Sequence, residues 1–537
     1  MSTGEKFFRL TDLLTDRLNP ILVKETRQAL KSRQFIITFM LLLTVAWLIS
    51  VFLIVLYGPA VEYGSAARGF FAWYAGVIGF ATLFVVPFGS FRSMLAERDQ
   101  DTYELLSIST LTPRQIVNGK LLSSVVQVFI YYSAIAPFIA FTSLLQGFDF
   151  PMVVLILSVG LLWSIFVSMI AIMLSTLSNS RQWQAMNTIG MIALLLWQMS
   201  MAFALGAAAF AESVAFDSEE FWWAMICSLT AAGSYFLLAR QITVSRLTFE
   251  SDNRSSGIRV ITTVQFWLVW AGVLAYGYWY GVINIEGEAV FALAMMSSLH
   301  WMIAGLVFST ESEHVSRRVR RSIPQSGILR LLIAPWMPGG RRGLLLLTIH
   351  LVAMVSIGGI PYWPDWIHKL VPLPTWSDPV CSSVMAFALY VYIYVGFGAA
   401  LGRWGQAITP EFRPAHARVL TILLAALAMI FPYLFYLLEI SHWPRFDSWT
   451  RVTNPFSALE LIAASDGGGT SRHPELTLVF LFMLSVAAGL IFLINLKSMI
   501  SGVSELLSWQ QTAELDTTEP IAEWADVAFE EPSPGDA

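Results

Sequence analysis

The chain has 537 residues, of which 56% are hydrophobic and only 13% charged, with a mean hydropathy of +0.64. Soluble domains carry about 25% charged residues, so the composition excludes an ordinary water-soluble fold and points to an all-α, polytopic transmembrane helix bundle. Two cysteines, Cys227 and Cys381, lie in or beside apolar segments and offer neither a disulfide framework nor a metal site; the net charge of −5 matters less than where the charges fall.

The first 33 residues are polar and basic, and the apolar run after them is long enough to span, so no cleavable signal peptide is expected. Within this segment Asn19 can cap a helix that Pro20 starts. Leu18, Leu22 and Ala29, with Lys24, Arg27, Lys31 and Arg33, suit an amphipathic helix on the inner leaflet. The plain alternative is a basic juxtamembrane anchor.

Apolar runs of about twenty residues, the length that crosses a ~30 Å hydrocarbon core, predict twelve spans: 34–57, 70–90, 119–145, 151–175, 184–210, 221–240, 260–284, 289–309, 343–361, 381–402, 419–438 and 476–496. Pro137 and Pro432 fall inside the third and eleventh, where neighbouring helices can satisfy the freed carbonyls. With a cytoplasmic N-terminus, 27 of the 32 Lys and Arg residues fall on the inside; only Arg68, Lys369, Arg445, Arg451 and Arg472 fall outside. That asymmetry predicts both termini in the cytoplasm. Trp363, Trp366 and Trp376 crowd a proline-rich outer segment, as residues at headgroup level do.

The predicted organisation is a six-span half over 34–240 with a polar insert at 91–120, a linker at 241–259, and a second six-span half over 260–499. The second half carries a basic cytoplasmic loop at 311–342 and an outer loop at 440–475, whose Gly467-Gly468-Gly469 suits a gate or partner contact. Six spans on each side would put the two halves in one orientation, as parallel repeats would be. An acidic tail over 500–537 has no Lys or Arg and is predicted to be disordered, at least beyond Thr512.

No span carries Asp, Glu, Lys or Arg in its interior, which argues against an ion-coupled carrier. His300 and His350 are the two titratable candidates there, and a packing role suits them better than proton transfer. Nor is there a phosphate-binding loop: Gly119-Lys120 is followed by Leu121, and Gly339-Gly340 runs into Arg341-Arg342 as a turn at a membrane boundary. No catalytic triad, zinc spacing or carboxylate pair stands out. The expectation is a protein that is not an enzyme, needs no cofactor or metal, binds no nucleic acid, and takes energy from a partner.

The polar insert, Arg92 to Leu122, is the main chemical feature. Glu97, Arg98, Asp99, Asp101 and Glu104 lie among Met94, Leu95, Leu105, Leu106 and Ile108, a spacing that predicts a short helix along the membrane surface. Thr112-Pro113-Arg114-Gln115 reads as a capping box that starts the next helix, with Arg114 and Lys120 at the headgroups. A solvated loop with a helix cap is the bland reading.

Glu97-Arg98, then Thr102-Tyr103-Glu104-Leu105-Leu106, then Thr112-Pro113-Arg114-Gln115-Ile116-Val117-Asn118-Gly119-Lys120 resembles the signature loop of ABC-2-type transporter permeases. The likeness is greatest to the branch with gliding-motility and copper-site-maturation permeases. The stretch from Asn19 to Gln28 is similar to that family's segment before the first span, and the resemblance covers about residues 15–240. Asp101 and Tyr103 depart from the family's usual Gly and Leu. The resemblance implies an exporter's membrane subunit, powered by separate ATPase subunits that bind ATP. It implies that Glu97, Arg98, Thr102, Glu104, Leu105, Leu106, Thr112, Pro113, Gly119 and Lys120 form a coupling helix seated in the ATPase.

Arg317, Arg318, Arg320 and Arg321 are candidates for a second docking contact or for binding membrane lipid. A dimeric ATPase offers two clefts, so a homodimer of this chain is the other way to fill both. The alternatives in function are a non-transporting anchor or transducer using the same ATPase, and an ion-coupled carrier.

Overall fold

A computed structural model describes residues 19–59, 66–99, 111–145, 150–177, 180–211, 216–279, 287–358, 379–409, 411–437, 450–463 and 474–516. Among them there are helices and no strands, and eleven helices are long and apolar enough to cross a membrane. The protein is an all-α, multi-pass membrane bundle. The expected seventh span is a helix over Ser256–Trp279 that is not among the eleven, and residues 280–286 lie outside the described residues.

The helices pack into two compact units, residues 1–249 and 250–537. Unit 1 holds α1 (Pro20–Lys31), α2 (Arg33–Tyr57), α3 (Ala66–Gly79), α4 (Val86–Asp99), α5 (Pro113–Thr142), α6 (Phe150–Thr176), α7 (Arg181–Ala211) and α8 (Glu219–Leu247). Unit 2 holds α9 (Ser256–Trp279), α10 (Gly287–Ser309), α11 (Arg317–Arg321), α12 (Gly327–Ile333), α13 (Gly340–Gly358), α14 (Pro379–Ile408), α15 (Pro414–Leu437), α16 (Pro455–Ala463) and α17 (Pro474–Asp516).

In unit 1 the Asn19 side chain accepts from the Ile21 amide at 3.1 Å, and Pro20 opens α1 as its fixed φ allows. The helix stops at Ser32, whose hydroxyl accepts from Phe35 N at 3.1 Å and so caps α2 as well. One serine therefore divides the amphipathic helix from the span. Leu42, Ala46 and Leu53 of α2 face Phe70, Tyr74, Tyr131 and Ile135, while Ile37, Val55 and Leu56 point outward, as a lipid-facing side requires.

Between α3 and α4 the backbone takes a wide π-turn, Phe80–Val85. Such a turn disturbs the regular hydrogen-bond ladder and must be satisfied from elsewhere. Ser164 Oγ of α6 donates to the Thr82 carbonyl at 2.7 Å, and Gln198 Nε2 of α7 donates to the Leu83 carbonyl at 2.8 Å. Trp163 Nε1 holds Gln198 Oε1 at 3.0 Å. Residues Arg92 to Asp99 then continue α4 as the lower end of this span. The expected surface helix from Arg92 is thus corrected at its start: these residues stay in the span's own register, and Met94 is fully buried.

Unit 2 centres on α14, whose apolar stretch is 67% buried. In lipid, helix contacts rely on close backbone approach at small residues; a Cβ added at Gly396 would lie 2.8 Å from Ile491, and one at Gly402 would lie 3.3 Å from Ala417. His350 packs 4.3 Å from the Trp301 ring and 5.0 Å from Phe266, with Nδ1 2.8 Å from the Leu346 carbonyl oxygen; His300 meets Trp301 edge-on. Both histidines sit in aromatic packing. Part of the expected 440–475 loop folds back on the bundle, with Tyr390 and Tyr394 donating to the Val452 and Thr453 carbonyls. Gly467 to Gly469 lie outside the described residues.

The expectation of a disordered tail from residue 500 is corrected. The last helix runs to Asp516, because Met499 and Leu506 still find apolar neighbours; 517–537 lie outside the described residues. At the α10–α13 corner, a Cβ on Gly340 would come within 2.5 Å of the Ser309 carbonyl oxygen and 2.8 Å of that of Glu311. Gly340→Ala is expected to cost about 1–3 kcal/mol, read as a lower unfolding midpoint in detergent. Gly327→Ala, with nothing within 4 Å, should change the midpoint little; equal shifts in the two variants would refute the packing account.

Candidate functional site

The polar end of unit 1 is organised around one buried ammonium. Lys120 Nζ lies seven residues into α5, its side chain only 3% exposed, and meets Glu97 Oε2 of α4 at 3.0 Å and Glu25 Oε1 of α1 at 3.2 Å. It also donates to Ser93 Oγ at 3.0 Å, and Ser93 donates to Glu25 Oε2 at 3.0 Å. Lys24 adds a second cation, 3.5 Å from Glu97 Oε1, from the exposed side of α1. Two cations and two carboxylates thus cancel inside a site where an unmatched charge would be costly.

Local sequence explains how these side chains converge. Ser93 and Glu97 stand four apart on α4, and Lys120 and Ser124 four apart on α5, so each pair shares one helix face. Ser90 and Ser124 close the contact one turn deeper at 2.6 Å. The expected capping box at the head of α5 is present: Gln115 N donates to Thr112 Oγ1 at 3.3 Å and Thr112 N to Gln115 Oε1 at 2.8 Å, with Pro113 as first residue. Gly119 lets α1 approach, since a Cβ there would meet Ile21 Cβ at 2.8 Å. Asn19 Nδ2 donates to the Gln115 carbonyl at 2.5 Å, and Arg240 of α8 donates to Asn118 Oδ1 at 2.8 Å.

Burial, the largest influence, would raise the Glu25 carboxyl. Lys120, the Ser93 hydroxyl and Lys24 outweigh it and hold Glu25 below the ordinary carboxylate range.

Of the residues singled out from sequence, Glu97, Thr112, Pro113, Gly119 and Lys120 gather at this site. Lys120 was expected at the headgroups; it turns inward instead, because two carboxylates and a hydroxyl replace its water. Thr102, Glu104, Leu105, Leu106 and the side chain of Arg98 lie outside the described residues. Sequence reasoning passed over Glu25, Ser93 and Asn118 as partners; the four-residue spacings marked the faces, but the pairing across helices is long-range.

Unit 2 repeats the arrangement with other residues. Arg259, fully buried at the start of α9, meets Glu311 at 2.5 Å and donates to the carbonyls of Pro335 (3.2 Å), Met337 (2.5 Å) and Gly339 (3.0 Å). Glu313 Oε1 accepts from the Arg341 amide at 2.8 Å, and burial pushes its carboxyl above the ordinary range despite Arg341 and Arg342 nearby. Within the basic 311–342 loop, Arg317, Arg318, Arg320 and Arg321 are exposed on α11, whereas Arg330 and Arg342 are buried and Arg341 half-buried, each donating to backbone or side-chain oxygens.

No protein-family model, curated protein or solved structure matches the chain.

Removing Lys120 leaves Glu25 and Glu97 buried with a deficit of positive charge. Lys120→Met is expected to destabilise by roughly 3–5 kcal/mol near neutral pH. In the wild type the Glu25 contribution is complete above the ordinary carboxylate pKa, about 4.3, and is lost as pH falls through its lowered folded value. In the variant the Lys120 charge no longer opposes burial, so the Glu25 carboxyl moves upward from its wild-type position. The gap in unfolding midpoint should therefore narrow as pH falls through the carboxylate range, from the variant's higher Glu25 pKa down to the wild type's lowered one, and Glu25→Gln should recover part of it. A gap independent of pH would refute the electrostatic account.

Proposed function

We propose that the protein is the membrane subunit of an ATP-binding-cassette exporter, with both termini in the cytoplasm of a bacterial inner membrane. Its 92–122 segment receives a separately folded ATPase. The observation that supports this most is the Lys120 network, which ties both described flanks of that segment, α4 and the head of α5, to the amphipathic α1. A partner that moves the segment thereby moves a membrane-surface helix and two spans together, rather than a loose loop.

Sidedness supports the reading too. The 27-to-5 distribution of basic residues favours this end on the cytoplasmic side, where ATP is available. The order of the motifs from Asn19 to Lys120 resembles that of ABC-2-type permeases. Two ATPase clefts would be filled by two copies of the segment, one from each of two chains.

The test is recovery of an ATP-binding-cassette ATPase co-expressed with the tagged full-length chain. Wild type retains it through purification, and Glu104→Arg, which inverts charge in the segment, should abolish recovery at equal membrane expression. Undiminished recovery would sink the docking assignment. In reconstituted vesicles, ATP-dependent movement of a cargo supports an exporter, while hydrolysis with no movement identifies an anchor or transducer instead.

A further inference from the structure

The segment joining α10 to α13 carries an inverted helix. In α12 the charged Arg330 points inward, 5% exposed, and donates to the Pro324 carbonyl at 2.7 Å and the Leu507 carbonyl at 3.3 Å. Its apolar neighbours point outward: Ile328 is 75%, Leu329 50%, Leu331 55% and Leu332 61% exposed. Four large apolar side chains on one short helix are disfavoured in water but suited to the boundary between headgroups and acyl chains.

The Leu507 carbonyl that anchors Arg330 belongs to the polar end of α17, eleven residues beyond the expected span 476–496. The segment also starts and finishes at one face of the unit, because Gly340 at the head of α13 lies against Ser309 at the foot of α10.

Beside it stands α11. Its one buried residue, Val319, packs with Val315, Ala334, Met337 and Leu506, pinning the helix to the unit. Ser316 caps it through the Val319 amide at 3.2 Å and donates to the Ser251 carbonyl at 2.5 Å. Arg317, Arg318, Arg320 and Arg321 project from the pinned helix, and Arg318 also pairs with Asp252 at 2.9 Å. Guanidinium forks match phosphate oxygens in geometry and charge.

We propose that α11 and α12 form one anionic-phospholipid site, in which α12 inserts its apolar side chains at the acyl boundary and the α11 arginines hold headgroup phosphates. The occupant is an anionic phospholipid leaflet, whose phosphates complement the arginines and whose acyl chains complement the apolar face of α12 beside them. The inference stands apart from the ATPase reading and does not depend on it.

The full-length protein in nanodiscs of phosphatidylcholine and phosphatidylglycerol tests it in two ways. Native mass spectrometry should find phosphatidylglycerol retained in preference to phosphatidylcholine. Arg317→Gln, Arg318→Gln, Arg320→Gln and Arg321→Gln combined should lower that preference on the order of tenfold or more; lysine at all four should keep most of it. A nitroxide on Leu332→Cys, with Cys227 and Cys381 replaced by alanine, should be reached by oxygen and shielded from a water-soluble nickel chelate. Unchanged lipid preference in the glutamine variant, or a fully chelate-accessible label, would overturn the proposal. Loss of ATPase recovery in the glutamine variant with lipid preference intact would overturn it in favour of protein docking.

Discussion

An ammonium group withdrawn from water at the end of a membrane helix needs opposite charge and hydrogen-bond acceptors supplied by the protein, and most of the polar end of unit 1 can be understood as meeting that need. Lys120 sits on a span whose other buried neighbours are apolar or hydroxyl-bearing. Neither Glu25 nor Glu97 alone would leave the group balanced once Lys24 is counted; together the four charges cancel. Because the carboxylates come from α1 and α4, the helix before the first span cannot leave without exposing a charge imbalance. The arrangement supplies specificity of assembly more surely than net stability, since buried ion pairs recover little more than their desolvation cost.

Unit 2 meets the same need at the same places in its own order. A carboxylate stands at the polar end of the second expected span of each unit: Glu97 within the last turn of α4, Glu311 and Glu313 just after α10. A cation opens the third: Lys120 in α5, Arg341 and Arg342 in α13. A further partner comes from Glu25, ahead of α2, in unit 1, and from Arg259 in the first turn of α9, with Ser255 just before it, in unit 2. A close-packed glycine stands at the head of each third helix, Gly119 against Ile21 and Gly340 against Ser309. The shared pattern is one of charge placement and close approach, not of residue identity, and a residue-by-residue comparison of the two polar segments does not reveal it.

How much was legible in sequence follows from the range of each interaction. Asn19-Pro20 and Thr112-Pro113 with Gln115 act within four residues, so caps and helix starts could be read directly, and apolar run length set the spans. Lys120 and Arg342 were read as charges at a boundary, because counting charges sets their side of the membrane without saying what meets them. Whether an arginine is exposed, like those of α11, or turned to backbone carbonyls, like Arg330, depends on packing by residues distant in sequence. The inverted polarity of α12 was hidden for the same reason: nothing next to Arg330 in the sequence says that it turns inward to the Leu507 carbonyl.

The π-turn gives the clamp mechanical meaning. Below it, α4 is fixed to α1 and α5 by Glu97, Ser93 and Ser90; above it, α3 packs through Phe70 and Tyr74 against α2 and α5. At the turn itself, the Thr82 and Leu83 carbonyls are held by side chains of α6 and α7. An interruption of this kind is where a helix yields to bending, since side-chain donors can follow a carbonyl that a rigid ladder cannot. The second span therefore changes its hydrogen-bond register at Phe80–Val85 without ending, and Ser164 and Gln198 tie that turn to α6 and α7.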